Sequence, residues 1–366
     1  MDRPSAERTS RSRNPAAPRL AVIPGDGIGP EVVNEALKVL DVVGPVFGLN
    51  VEVEMLPYGA EHYLATGETL SPVEAQRIAG FDAVLVGAFG DPRVPGGEHA
   101  RDILQGLRAA LDLYVDERPA RLLHASLTPL EGRRPQDVDL VVFREATEGL
   151  YAGVGGVFKH GSPDEIAVAE ELHTRRGVER VVRHAFDWAR ANGRTRVAMA
   201  DKANAVPAHM LWRRVFDEVG REFRDIRRDA RYVDELAMDL VREPQSFQVI
   251  VTGSLYGDVL AGLAGGLVGG LGVAPRAERH TTRPALFAPA HGSVLALART
   301  DAANPMAAIL ALAMMLASVG AAEAAQTIER AVRAAVAERV TTRDIGGEYG
   351  TRAVGEWIAE WIRVMS

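Results

Sequence analysis

Residues Arg19 to Leu40 read RLAVIPGDGIGPEVVNEALKVL. An apolar run over Arg19–Ile23 stops at PGDGIGPE, after which Val32, Val33, Ala36, Leu37 and Leu40 recur at helical spacing, so the stretch reads as strand, polar loop and helix. The same strand-then-loop pattern returns at Phe81–Val86 before GAFGDP, at Val138–Phe143 before REATEG, at Val197–Ala200 before DKAN and at Phe247–Val251 before TGSLYGD. Between them Val178, Val181, Val182, Ala185, Phe186 and Ala189 fit one helix face. Unbroken apolar strands alternating with helices predict an α/β fold whose sheet is covered on both faces. Ligands of such sheets bind where strands end and loops begin. There is no solenoid-period repeat and no long linker, so the chain is not expected to divide into two independent beads.

The 366 residues carry 42 basic and 49 acidic side chains, a formal charge of −7, with 47% hydrophobic residues and no cysteine. That acidic balance argues against nucleic-acid or membrane-surface partners. Without cysteine, disulfide scaffolds, thiolate metal sites and thiol nucleophiles are excluded. Of the basic residues only Lys38, Lys159 and Lys202 are lysine and the rest are arginine, which makes each lysine a place to ask where a titratable cation is needed. Residues 1–17 (MDRPSAERTSRSRNPAA) lack apolar periodicity and are expected to be a disordered tail. The apolar stretches Val259–Pro275 and Met306–Gly320 fall short of the roughly 20 residues of a spanning helix, so a cytoplasmic protein is expected.

The loops hold the unusual chemistry. PGDGIGPE has glycines, but in the order G-D-G-I-G and not G-x-G-x-x-G, and reads as a tight strand-to-helix turn as readily as a dinucleotide loop. Arg108, Arg118 and Arg144 lie at strand and loop ends, where bidentate hydrogen bonds can clamp a di- or tricarboxylate. Lys202 in MADKAN is a candidate general base and Tyr151 in TEGLY a candidate acid. Asp234 and Asp258 close predicted elements; two carboxylates suffice for a hard divalent cation, and Asp234 also suits a helix cap. His291, Gly292 and Ser293 share one loop, and Asn304-Pro305 opens an apolar helix, with Asn as its cap. An imidazole and an amide there could hold a purine ring.

Taken together and in order, IPGDGIGPE, GAFGDP, LR…LDLY…RP, FREATEGLYAG, TRRG, DKAN, YVDELAM, VTGSLYGD, GGLGVAP, HGS, ANP and RDIGGEYGT resemble the β-decarboxylating dehydrogenases. That family includes the isocitrate, 3-isopropylmalate, homoisocitrate and D-malate/tartrate enzymes, and the resemblance spans Leu20 to Trp361. It implies a discontinuous two-domain isopropylmalate-dehydrogenase-like fold with a non-Rossmann cofactor site: residues 18–115 plus 267–366 as the cofactor domain and 116–266 as the dimerisation and substrate domain. It implies metal-dependent oxidative decarboxylation of a 2-hydroxy acid with hydride transfer to NAD(P). Arg108, Arg118 and Arg144 would bind substrate carboxylates, with Leu104 and Gln105 near the C3 substituent. Lys202 would be the base, Tyr151 the acid, and Asp234 and Asp258 ligands of Mg²⁺ or Mn²⁺. Ile23, Gly25, His291, Gly292, Ser293, Asn304 and Asp344 would line the cofactor. Lys202 and Asp234 would come from the partner subunit of a homodimer.

Three positions depart from the family pattern. Gly262 stands where a second acid follows Asp258 by four residues, Ala288 where a Glu is common, and Ala296-Leu297 where Asp marks NAD enzymes and Lys-Tyr marks NADP enzymes. NAD is expected, because an unpaired 2′-phosphate costs more than an unpaired hydroxyl, and NADP stays open. The same departures motivate an alternative, a non-catalytic regulatory subunit or degenerate ligand-binding homologue.

Overall fold

A computed structural model of the chain describes residues 17–365; the expected tail therefore lies outside the described residues except for Ala17. In chain order the elements are β1 (Arg19–Gly25), α1 (Gly29–Phe47), β2 (Glu52–Met55), α2 (Ala60–Thr66), α3 (Pro72–Ile78), β3 (Ala83–Ala88), α4 (Glu98–Leu111), β4 (Val115–Arg121), β5 (Asp139–Glu145), β6 (Gly155–Phe158) and β7 (Ile166–Ala169). There follow α5 (Arg175–Ala191), β8 (Arg196–Asp201), α6 (Met210–Gly220), β9 (Arg227–Tyr232), α7 (Val233–Arg242), β10 (Val249–Thr252), α8 (Ser254–Leu267), β11 (Pro275–Arg279), β12 (Ala285–Pro289), α9 (Met306–Ser318), α10 (Ala322–Ala337) and α11 (Thr351–Met365).

Ten strands form one sheet in the order β2-β1-β3-β12-β11-β4-β5-β10-β8-β9. Strands β2, β1, β3 and β12 are mutually parallel, as are β5, β10, β8 and β9. Antiparallel pairings of β11 with β12 and β4, and of β4 with β5, reverse the direction across the middle. The sheet is thus two parallel blocks of opposite polarity joined by a two-strand seam. The hairpin β6–β7 stands apart as its own two-stranded sheet.

The predicted strands and helices appear as read. Val32, Val33, Ala36 and Leu40 of α1 are buried, Pro30 begins the helix, and Gly48 at φ +63° ends it in the left-handed conformation that glycine adopts without strain. Val178, Val181, Val182, Ala185, Phe186 and Ala189 form the buried face of α5. The apolar stretch at Met306 is α9, buried on nearly every side because it packs against α1, α10, β11 and β12. No helix among the described residues is long and apolar enough to cross a membrane. The seam is the surprise. Strands β4 (VDERPAR) and β11 (PRAER) carry charges where a buried strand is usually apolar, and those charges build the site.

Candidate functional site

Side chains alternate across a strand, so β4 sends Asp116 and Arg118 to one face of the seam, and β11 sends Arg276 and Glu278. Asp116 and Glu278 are fully buried. Arg144, from the end of β5, donates to Asp116 Oδ2 from Nε at 2.9 Å and from Nη2 at 2.8 Å. Arg118 donates to the same oxygen from Nη2 at 2.9 Å and reaches Asp258 Oδ1 at 3.0 Å. Arg108, from the last turn of α4, grips Glu278 with Nε at 2.6 Å and Nη2 at 2.7 Å. Arg276 holds the same carboxylate at 2.7 Å. Four arginines therefore converge on two buried acids and Asp258, an arrangement that pre-orients guanidinium forks for anions.

The electrostatics follow from that packing. Burial alone would raise the Asp116 carboxyl, but Arg118 and Arg144 override it and hold it far below the usual carboxylate range. Burial likewise opposes the charge of Arg108 and Arg118, and the Glu278 and Asp116 carboxylates respectively more than compensate, raising both guanidinium groups. Leu104 lies one turn before Arg108 on the same face of α4 and is half-buried, while Gln105 is exposed.

Tyr151 sits on a 3-10 turn, Leu150–Ala152, after β5, and its hydroxyl donates to Asp258 Oδ2 at 3.2 Å beside the Arg144 guanidinium. Burial and then the Asp258 charge raise the phenol. Gly262 lies one turn beyond Asp258 on α8 with open space where a side chain would project. Gly257 lets α8 approach Arg144, since a Cβ there would meet Arg144 Cγ at 2.5 Å. Lys202 and Asp234 form a separate pair, Nζ to Oδ1 at 2.5 Å, at the ends of β8 and β9. Lys202 is paired with Asp234 and not with Tyr151 or Asp258. Asp234 is an exposed carboxylate and Asp258 a partly exposed one, hard oxygen donors of the kind Mg²⁺ or Mn²⁺ takes.

The cofactor candidates also converge. The Ile28 N–H donates to Ser293 O at 2.8 Å, docking the HGS loop on the GDGIG turn. Gly27 at φ +59° leaves no room for a side chain, because a Cβ would strike Ser293 O. Gly25 is confined in the same way by Ala88 O. His291 has a buried Nε2 without a partner, an unspent hydrogen-bonding valence suited to a base edge. Beside the turn lies a cavity of about 500 Å³ lined by Gly25, Gly27, Asp91, Leu295 and Arg299. Two expectations need correction. The Ile23 side chain is wholly buried in the core, so only its backbone faces the loops. Asn304 is not the cap residue of α9; that position is Pro305. The Asn304 amide is spent on Asp344 Oδ2 at 3.0 Å and on the Met306 N–H at 3.0 Å, which fixes Asp344 beside the loop.

Sequence reading missed Asp116, Arg276 and Glu278, whose signal was charge inside a strand. It also missed Asp26, a buried carboxylate that accepts from the N–H groups of Ala60 at 2.5 Å and Gly90 at 2.8 Å and contacts His99 Nε2 at 2.7 Å. Asp26 fastens the GDGIG turn to its neighbours.

A sheet of this order around converging arginines, with a glycine turn at its strand ends, defines an α/β protein with a polar site suited to small anions. The chain belongs to the isocitrate/isopropylmalate dehydrogenase family, whose model matches residues 19–358, and it is a dehydrogenase with the isopropylmalate-dehydrogenase-like fold. The 3-isopropylmalate dehydrogenase of Thermobifida fusca is 42% identical over 345 residues, 93% of this chain and 97% of that one. The enzyme of the same name from Streptomyces avermitilis is 42% identical, covering 92% and 98%. Among solved structures, isocitrate dehydrogenase from Methylococcus capsulatus superposes with a TM-score of 0.86 at 37% identity, covering 94% of this chain and 99% of the other.

Proposed function

We propose that this dehydrogenase carries out metal-dependent oxidative decarboxylation of a 3-substituted malate, of the isopropylmalate, isocitrate or D-malate type, passing hydride to NAD, with NADP as the alternative acceptor. The observation that carries the reading is the cluster in which Arg108, Arg118 and Arg144 stand on buried acids while Tyr151 and Asp258 share a hydrogen bond. The arginines orient the substrate carboxylates. Lys202 takes the proton of the C2 hydroxyl, and Tyr151 returns one to the carbon that loses its carboxylate. Asp258 and Asp234 would hold a Mg²⁺ or Mn²⁺, which when bound would supply Lewis acidity toward the substrate oxygens. Leu104 and Gln105 meet the C3 substituent, and the relatives named 3-isopropylmalate dehydrogenase favour an alkyl group there. Ile23 through its backbone, Gly25, His291 to Ser293, Asn304 and Asp344 line the cofactor.

The Lys202–Asp234 pair works in the partner's cleft, so the active unit is a cytoplasmic homodimer with shared sites. The seam divides a cofactor part (18–115 and 267–366) from a substrate and dimer part (116–266). The test incubates the purified protein with Mg²⁺ or Mn²⁺, either nicotinamide cofactor and a panel of 3-substituted malates. Cofactor reduction with at least one is expected; none, from folded dimer, contradicts the proposal and favours the non-catalytic alternative suggested by Gly262.

A further inference from the structure

Behind Lys202 lies a group of side chains that the catalytic reading leaves unused. His209, buried at the start of α6, has both ring nitrogens engaged. The Lys202 backbone N–H donates to His209 Nδ1 at 3.0 Å, and His209 Nε2 meets Glu171 Oε1 at 3.1 Å. His173 Nε2 approaches the same oxygen at 3.1 Å. Ligand atoms of Glu171, His173 and His209 all fall within 4.8 Å of one another, as in a metal site. The protonation pattern argues otherwise. A backbone N–H only donates, so Nδ1 of His209 must be the acceptor, and the ring's single proton then sits on Nε2, where it is donated to Glu171. That nitrogen has no lone pair for a cation. The adjoining space, about 10 Å³, holds at most one water.

The segment carrying Glu171 is tied at its other side to the turn of Tyr151. The Gly149 N–H donates to Leu172 O at 2.8 Å, two residues before Tyr151. The Glu148 carboxylate accepts from Thr174 N–H at 2.7 Å and Thr174 Oγ1 at 2.6 Å. Glu171–Leu172–His173 is therefore a strut with the Tyr151 turn on one flank and the Lys202 loop on the other. The Ala205 and Val206 N–H groups both close on Lys202 O, at 2.9 and 2.8 Å, so a shift at His209 would move that whole loop.

We infer that Glu171 and His209 are positioning residues, forming a strut that sets the height of the Lys202 loop against the Tyr151 turn. Because those two residues serve different clefts of the dimer, the strut links one active site to the other. The catalytic half of this inference rests on the proposed roles of Lys202 and Tyr151; the strut itself does not.

The test compares His209→Ala, His209→Asn, Glu171→Ala and Glu171→Gln in the full-length protein. Asn can place its amide oxygen near the Nδ1 position, and Gln keeps an acceptor for His209. In the Ala variants kcat should fall about 10- to 100-fold with KM within about threefold, and the Asn and Gln variants should recover most of it. Backbone amide exchange of residues 202–206 should quicken about tenfold or more in His209→Ala, and nitrogen NMR should show His209 as the neutral Nε2–H tautomer. Unchanged exchange at 202–206 overturns the strut. Changed exchange with unchanged kcat in an active enzyme overturns its catalytic role. Absence of turnover in the wild-type protein overturns the dehydrogenation reading and, with it, the catalytic half, while exchange still decides the strut. A Co²⁺ visible spectrum abolished by His209→Ala but not by Asp258→Asn would overturn the inference in favour of a metal site.

Discussion

On the proposed mechanism, Lys202 is the residue on which the chemistry turns. In a chain whose cations are otherwise almost all arginine, Lys38 answers a buried Glu35 at 3.0 Å and Lys159 lies on an exposed stretch, which leaves Lys202 at the end of β8, beside Asp234. Lys202→Arg keeps the charge and removes a group able to give up its proton, so kcat should drop by about 100-fold or more with the fold intact; steady-state kinetics with circular dichroism check this. Gly262 tests the metal in the same way. Open space surrounds its position on α8, so Gly262→Asp adds a carboxylate without a clash and should tighten Mn²⁺ binding about tenfold, read by calorimetric titration. Lys202 and Tyr151 stood out because each sits in a polar loop, and Arg108 and Arg144 because they lie near element ends; Arg118, expected at an element end, lies instead within β4. Asp116 and Glu278 were not legible, because nothing in a short polar run tells a solvated strand from one that buries its charges against arginines of distant sequence.

At the scale of elements, the seam strands β4 and β11 trade the usual apolar contacts for ion pairs. Removing one partner leaves buried guanidinium groups uncompensated, so Glu278→Ala should destabilise the protein by about 3–5 kcal/mol, measured by denaturant unfolding. On α5, His184 packs edge-on to Phe143 with its Nε2 unpaired, and burial pushes the imidazole down to about 4. The folded pKa lies below the unfolded value of about 6.5, so the unfolded chain binds the extra proton. Stability is therefore full above pH 6.5 and declines as pH falls toward 4, with His184 contributing up to about 3 kcal/mol of the loss. In His184→Phe the thermal midpoint should fall less steeply across that window; an unchanged slope would contradict the assignment. Strands β1, β3, β5, β8 and β10 were readable from their apolar runs and following loops, whereas the edge strands β2 (EVEM) and β9 (RRDARY), polar and part-exposed, and β12 were not. The antiparallel seam was not, since β4 and β11 pair over a long sequence separation with no turn between them to announce the register.

For the whole molecule, the hairpin β6–β7 exposes Val157, Phe158, Ile166 and Val168, and a free two-stranded hairpin has little stability of its own. In the homodimer reading it packs on the partner, and Phe158→Asp with Ile166→Asp should shift the protein toward monomer in sedimentation and lower activity with it. Shared sites make a sharper forecast: Tyr151→Phe and Lys202→Met, each inactive alone, should recover about one quarter of wild-type turnover when co-refolded, because each hybrid dimer rebuilds one intact cleft. The central claim is that this cleft couples oxidation at C2 to loss of the C3 carboxylate. Its most direct measurement supplies a turned-over 3-substituted malate carrying isotopic carbon in the C3 carboxylate, and counts labelled CO₂ against reduced nicotinamide. One labelled CO₂ released per reduced cofactor is the predicted result; reduction without label release, or label release without reduction, contradicts it.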